Sequence, residues 1–318
     1  MPGPRSLRQM PWWLWLDALC LTAPLAAMAW QWLFARVSNV QLPPVTHQAL
    51  FLTVWIVGLA DRLTEAQQRR DSWRHWCAWT LRVPLILLLL GAIAGVVWLV
   101  LWFLPQVILE MGVFLVIPLL FYIFFARVEV GPRAAMPREL VRGALFSAGV
   151  LLPTYAMASV PTAALQLMIA QTLLVSLIFL GVTCRERMRW DDEANRPDWL
   201  AIDARIGVWM LFLLGTAIWL ANEAHRNASG MVLYYATMVV SGLAFLLAYT
   251  KREKVSPDSL HGMAWVILTL PLLTLLFLQL HDKQQTAFAP FRPLDEHRAI
   301  SLEDRIGLED RFVLTPQL

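Results

Sequence analysis

Hydrophobic residues in this chain come in long, nearly unbroken stretches separated by short polar or charged connections. Nine stand out: 11–34, 45–60, 83–104, 107–126, 143–159, 162–184, 206–221, 230–249 and 260–280. A helix crosses a bilayer with about 20 mostly apolar residues, in a range of roughly 17–25. The second and seventh stretches hold only 16 residues each, so they are expected to borrow a turn from their polar flanks. Leu104-Pro105-Gln106 alone parts the third from the fourth, and Val160-Pro161 the fifth from the sixth. Each pair reads as a tight helical hairpin, with proline at or near the first turn of the returning helix, where its missing N–H costs nothing. The pattern predicts an all-α, polytopic membrane protein. It has a cytoplasmic N-terminus over 1–10, a nine-helix transmembrane bundle over 11–280 and a polar extracytoplasmic tail over 281–318.

Composition agrees with this class. Of 318 residues, 58% are hydrophobic and 15% charged, with a mean hydropathy of +0.56. Soluble domains carry about 25% charged residues. The net charge of +3 is too small to argue for a nucleic-acid partner.

The placement of basic residues says more. Arg5 and Arg8 precede the first stretch, and the second, fourth, sixth and eighth connections carry five, four, five and three Lys or Arg. The first, third, fifth and seventh carry one, none, none and one. This split of 19 against 2 follows the positive-inside rule at every connection. It predicts a membrane protein with the N-terminus and even connections on the cytoplasmic side and the C-terminus outside. Asp17 interrupts the first stretch, which is also longer than the roughly 7–15 residues of a signal-peptide core. The stretch is therefore expected to be an uncleaved span.

Several residue types add little chemistry. Cys20, Cys77 and Cys184 have neither disulfide nor metal spacing, and no pair among the six histidines has ligand spacing. Trp30, Trp32, Trp98, Trp102, Trp199 and Trp219, with others, flank the ends of the stretches and read as aromatic belts. Gln31, Gln166 and Gln171 are expected in interhelical hydrogen bonds. Asp17 differs, because a carboxylate about 9 Å into a span, at 1.5 Å per residue, is costly and points to function. It is a candidate for lining a cavity, with pairing to an arginine or a place at head-group level as alternatives.

The stretch that carries chemistry follows the second apolar run. Asp61 and Glu65 stand four residues apart there, on one helix face with Cβ atoms roughly 5–6 Å apart. Two like charges so placed repel, and a cation between them reverses the sign. Mg²⁺ suits one or two carboxylates together with the phosphates of a substrate. Arg69, Arg70 and Arg74 follow, and guanidinium groups hold phosphate by paired N–H bonds. The plain alternative is a solvated helix end with an ordinary Glu65–Arg69 pair. A second charged run, after the sixth stretch, contains Arg185, Arg187, Arg189, Asp191, Asp192 and Glu193. Two such runs on one side of the membrane are positioned to close over one cavity.

With nine spans, an external C-terminus and acidic runs after the second and sixth helices, the chain resembles the UbiA family of intramembrane aromatic prenyltransferases, in a divergent bacterial branch. The resemblance covers roughly residues 10–280. The family's first motif, Asn-x-x-x-Asp-x-x-x-Asp, is represented by Val57, Asp61 and Glu65, with the Asn lost. Its second, commonly Asp-x-x-x-Asp, falls near Asp191, Asp192 and Glu193, which lack that spacing.

What the resemblance implies is a Mg²⁺-dependent transfer, at a bacterial cytoplasmic membrane, of a prenyl group from a prenyl diphosphate to a lipid-soluble acceptor, expected to be aromatic. Asp61, Glu65, Asp191, Asp192 and Glu193 would hold metal. Arg69, Arg70, Arg74, Arg185, Arg187 and Arg189 would hold diphosphate. Two readings stay open beside it: a catalytically inactive isoprenoid-binding or membrane-complex assembly protein, and a small-molecule transporter. The absence of an internal repeat speaks against the transporter.

Overall fold

The computed structural model describes residues 14–68, 73–125, 132–157, 163–190, 196–227 and 229–288. Twelve helices follow one another: α1 (Leu14–Ala18), α2 (Thr22–Val37), α3 (Pro44–Gln68), α4 (Trp73–Thr80), α5 (Arg82–Trp102) and α6 (Gln106–Phe125), then α7 (Pro132–Met157), α8 (Ala163–Trp190), α9 (Arg196–Arg226), α10 (Met231–Thr250), α11 (Pro257–Leu268) and α12 (Pro271–Phe288). The described residues contain no strand. Seven segments are long and apolar enough to cross a membrane: Arg82–Trp102, Gln106–Ile123, Ala134–Met157, Leu165–Met188, Arg196–Arg226, Met231–Thr250 and Pro257–Leu280. The chain is an all-helical, multi-pass membrane protein. These seven correspond to the last seven of the nine predicted stretches.

The first stretch departs from expectation, and the second does not. The run 11–34 is not one helix, because α1 ends at Ala18 and α2 starts at Thr22, with Cys20 between them at φ 55°. Pro24 explains the break: its ring would collide with the carbonyl four residues back, at Cys20, and it has no N–H to bond there. Leu21 instead donates to the Leu16 carbonyl at 2.9 Å, closing the turn. The run 45–60 lies inside α3, whose 25 residues take in polar flanks at both ends. The expected borrowing of turns occurs here and in the 31 residues of α9.

Two further boundaries move. α7 begins at Pro132, so Arg138, Glu139 and Arg142, expected in a connection, are helical. The ninth stretch breaks at Thr269 and Leu270 before Pro271, for the same reason as at Pro24. α11 starts cleanly, since the Ser256 hydroxyl accepts from the Ser259 N–H at 3.2 Å and Pro257 occupies the first turn.

α2 and α8 form the centre. α2 buries Ala26, Ala27, Ala29, Trp30, Leu33 and Phe34 and packs against α3, α7, α10 and α11. Its small residues let neighbouring backbones approach, as in membrane bundles. α8 packs on α7, α9, α10 and α11. The tightest point is Gly143 of α7, where a Cβ would sit 2.5 Å from the Thr172 carbonyl oxygen.

α5 packs on α3 and α6 on α7, yet both turn apolar side chains outward: Leu87, Leu101, Phe114, Ile117 and Phe121 are exposed. Helices apolar all round belong in lipid. Trp32, Trp98, Trp102 and Trp219 are exposed as belt residues should be, but Trp30 and Trp199 are fully buried. Those two are core residues instead; Trp30 packs edge-on against Tyr234 at 5.0 Å.

Residues from Leu276 onward form a second compact unit. Its described part is the continuation of α12 to Phe288, past the point where a polar tail was expected to begin.

Candidate functional site

Asp61 stands where the apolar face of α3 ends. Its carboxylate accepts from Arg142 of α7 at 3.3 Å. One turn back on α7, Glu139 accepts from the same guanidinium at 3.2 Å and from the Thr183 hydroxyl of α8 at 3.0 Å. The Phe179 ring of α8 covers Arg142, its centroid 4.7 Å from the guanidinium carbon. Asp61 and Arg142 keep side-chain exposures of 20% and 24%, whereas Glu139 keeps only 1%. The pair is therefore reachable, and the glutamate behind it is sealed.

A second set of charges lies on the neighbouring turn. Arg62 of α3 donates to Asp17 of α1 at 3.4 Å, and both side chains are buried. His261 of α11 lies between Asp17, at 3.7 Å, and Glu186 of α8, at 3.6 Å. The Trp265 indole N–H donates to His261 Nε2 at 3.1 Å, which ties this set to the next helical turn of α11. Buried carboxylates are tolerated only with such partners. Adjacent residues of α3, Asp61 and Arg62, thus begin two chains of polar contacts that both end on α8.

Between α3, α6, α7 and α11 lies a cavity of about 160 Å³. Its walls are apolar, with Leu50 and Val57 of α3, Leu115 and Leu119 of α6, Phe146 of α7 and Trp265 of α11. Asp61, Arg142 and Tyr122 give it one polar end. The Tyr122 hydroxyl is buried there without a hydrogen-bond partner. A buried hydroxyl left in that state costs about 1–3 kcal/mol, and a ligand oxygen at the same end would remove the cost.

Comparisons with protein-family models, with curated proteins and with solved structures find no match. The site's chemistry therefore rests on its own geometry. Among the described residues, no group of three His, Cys, Asp or Glu side chains is placed to hold a metal ion. Mg²⁺ prefers octahedral oxygen ligands. Here Asp61 brings one carboxylate, and a guanidinium already faces it. The described side chains do not by themselves fit Mg²⁺.

The remaining expected residues fall as follows. Glu65, Arg74 and Arg189 lie on α3, α4 and α8, with side chains outside the described residues, while Arg69, Arg70, Asp191, Asp192 and Glu193 are outside altogether. Arg185 donates to the Arg252 carbonyl at 3.1 Å, bracing α8 against the end of α10. Arg187 is half-buried near the end of α8. Asp17 sits behind Trp265, through His261, and is not among the residues lining the cavity. Gln31 and Gln171 do bond between helices, to His47 at 2.6 Å and Tyr234 at 2.8 Å. Gln166 is exposed.

Sequence reasoning passed over Tyr122, Glu139, Arg142, Thr183 and His261. For Glu139 and Arg142 there was a signal: opposite charges three residues apart, directly before an apolar run, share a helix face. Tyr122, inside an unbroken apolar stretch, carried none.

Proposed function

We propose that this chain is a nine-span, UbiA-like membrane protein whose interior cavity takes the apolar chain of an isoprenoid amphiphile, with the head group at Asp61, Arg142 and Tyr122. The observation that carries the reading is the unpartnered Tyr122 hydroxyl at the one polar end of an otherwise apolar cavity. Each CH₂ moved from water into such walls contributes about 0.8 kcal/mol. A head-group oxygen accepts from Tyr122 and from Arg142, whose guanidinium exchanges part of its contact with Asp61 for the ligand. Glu139, Thr183 and the Phe179 ring keep Arg142 oriented while it does so.

Prenyl transfer is the second reading, favoured by Asp61 and Arg142 standing together at the polar end of the cavity. A guanidinium at that point would stabilise charge developing on a leaving diphosphate, and apolar walls would keep water from a reactive carbon. Binding separates from catalysis in one set of measurements. The purified full chain is titrated with farnesol and with farnesyl diphosphate, each with and without Mg²⁺, in wild type and in Leu119→Trp, which fills the cavity. At least a tenfold loss of both ligands in the variant, about 1.4 kcal/mol, is expected. Undiminished binding in that variant refutes the cavity assignment. Mg²⁺-dependent consumption of farnesyl diphosphate with an aromatic acceptor would promote the second reading over the first.

A further inference from the structure

The cavity at Asp61 has a definite length. Six residues of α3 line it: Leu50, Thr53, Val54, Val57, Gly58 and Asp61. They recur at helical spacing, so one face of α3 runs beside the cavity from its polar end to its far end. Asp61 and Leu50 stand eleven positions apart, about 16 Å at 1.5 Å per residue. Arg142 and Gly149 of α7 stand seven positions apart, as do Tyr122 and Leu115 of α6. The same rise makes those walls about 10 Å long. The two other donors in the lining are both taken. The Thr53 hydroxyl donates to the Ala49 carbonyl of its own helix at 2.8 Å, and the Trp265 indole to His261 at 3.1 Å. An apolar chain in the cavity meets no unsatisfied donor beyond the polar end.

The far end is closed by a contact between α3 and α7. A Cβ on Gly149 would lie 3.3 Å from Leu50 Cδ1, so the Leu50 side chain rests on glycine backbone that any larger residue would hold away from it. α3 and α7 approach each other at few other points. Behind the contact lies packed core. Thr46, one turn further along the same face of α3, is 2% exposed, and Val150 and Leu151 beside Gly149 are fully buried. Such interiors do not admit extra methylenes without strain. A chain that enters from the polar end stops at Leu50.

We propose that this contact sets the length of the isoprenoid that the cavity accepts, at two to three isoprene units, with Leu50 and Gly149 as the residues that determine it. An isoprene unit contributes four carbon–carbon bonds, about 5 Å of extended chain. Walls of about 10 and 16 Å hold two or three units, and a fourth has no room. The cavity volume, about 160 Å³, points to the shorter end of that range, since roughly 150 Å³ holds one benzene ring. The proposal rests on the reading of the cavity as a chain-binding site and adds where the chain ends.

The test measures displacement of tritiated farnesol from the full chain in detergent by geraniol, farnesol and geranylgeraniol, of ten, fifteen and twenty carbons. Each alcohol enters micelles to its own extent, and comparing one alcohol between protein variants cancels that contribution. Leu50→Ala removes the stop. Its affinity for geranylgeraniol is expected to rise at least about fivefold over wild type, while farnesol changes by less than about threefold. Gly149→Ala pushes Leu50 into the cavity, so farnesol should weaken at least about fivefold more than geraniol. The double variant gives the new methyl room and should restore the wild-type farnesol-to-geraniol ratio to within about twofold. General loosening of the bundle would weaken all three alcohols together and gives no such rescue.

Leu119→Trp separates this proposal from the reading beneath it, because it should weaken all three alcohols. If it weakens none, the cavity reading fails and the length proposal with it. If it weakens all three and Leu50→Ala leaves the order of chain lengths as in wild type, the length proposal alone is overturned. An unchanged farnesol-to-geraniol ratio in Gly149→Ala overturns it independently, even where Leu50→Ala does not fold.

Discussion

Two Asp–Arg pairs in this bundle look alike in sequence and differ in what surrounds them. Arg252, just past α10, reaches Asp203 of α9 with two nitrogens, at 3.1 and 2.7 Å, both on Oδ2. The Tyr249 hydroxyl donates to the other oxygen, and its ring lies 4.7 Å from the guanidinium carbon. Each polar group of that pair has a protein partner: the remaining guanidinium nitrogen donates to the Tyr249 carbonyl at 3.3 Å. Arg142 instead divides itself between Asp61 and Glu139 through single contacts above 3 Å, at the end of an open cavity. Charge-assisted pairs strengthen with short, forked geometry. The first pair is built to stay closed, and the second can trade a partner for a ligand.

The largest effect that bears on this contrast is expected at the closed pair. Asp203→Asn removes the charge facing Arg252 and weakens the Tyr249 bond. Losing one partner of a buried pair costs about 3–5 kcal/mol. Arg252 is a quarter exposed, so solvent screening reduces the expectation to about 2–3 kcal/mol, read by denaturant titration in detergent. A change below half a kilocalorie, on the order of a surface substitution, would erase the distinction between the pairs.

At the open pair the effect moves from stability to affinity. Asp61→Asn should change stability by less than about 1 kcal/mol, because Arg142 keeps Glu139. If the second reading of the cavity holds, Mg²⁺-dependent diphosphate binding should weaken at least tenfold, about 1.4 kcal/mol. Unaltered affinity in a properly inserted protein removes the case for transfer at this carboxylate.

Tyr122→Phe sharpens the same point more gently. Farnesol affinity should fall roughly three- to tenfold, the range of a single hydrogen bond, with stability unchanged or slightly raised because an unpartnered hydroxyl is gone. A variant that loses stability but not affinity would show that the hydroxyl serves packing alone.

The smallest effect concerns Cys77 of α4. Burial pushes its thiol up from the ordinary value, and the Arg62 guanidinium opposes this only in part. The folded value lies above the unfolded one, so the contribution to stability is complete below the ordinary thiol range and is lost as pH rises through the raised value. Maleimide labelling at pH 8 should run at least about tenfold slower than for the denatured chain. Labelling at the denatured rate would mean that Arg62 faces an open, solvated helix end.

How much of this was legible beforehand differs from residue to residue. Asp61 stood out because it ends an apolar run, and the cavity does begin there. Its partner Arg142 lies 81 positions away in the chain, and a single sequence holds no record of which distant charges meet. Asp17 was legible as costly, but not that Arg62 and His261 would be the groups that meet it. Pro24 and Pro271 stood in plain sight as helix breakers inside long apolar runs, where hydropathy outweighed them.

Hydrophobic run length by itself determined the class of this protein, because about 20 apolar residues cannot be left in water and the bilayer is the solvent that accepts them. It also determined the all-helical build, since a backbone in lipid must satisfy its own hydrogen bonds. Tertiary structure alone decided which helices became core and which face lipid. α2 and α5 are both apolar, yet α2 is buried through its small residues while α5 stays outside. Packing likewise decided that Trp30 is core and Trp32 is not, and that Glu139, Arg142 and Tyr122 assemble around Asp61. Hydropathy is local and adds up along the chain. Proximity between helices depends on side-chain shape across an interface, and no single segment contains that information.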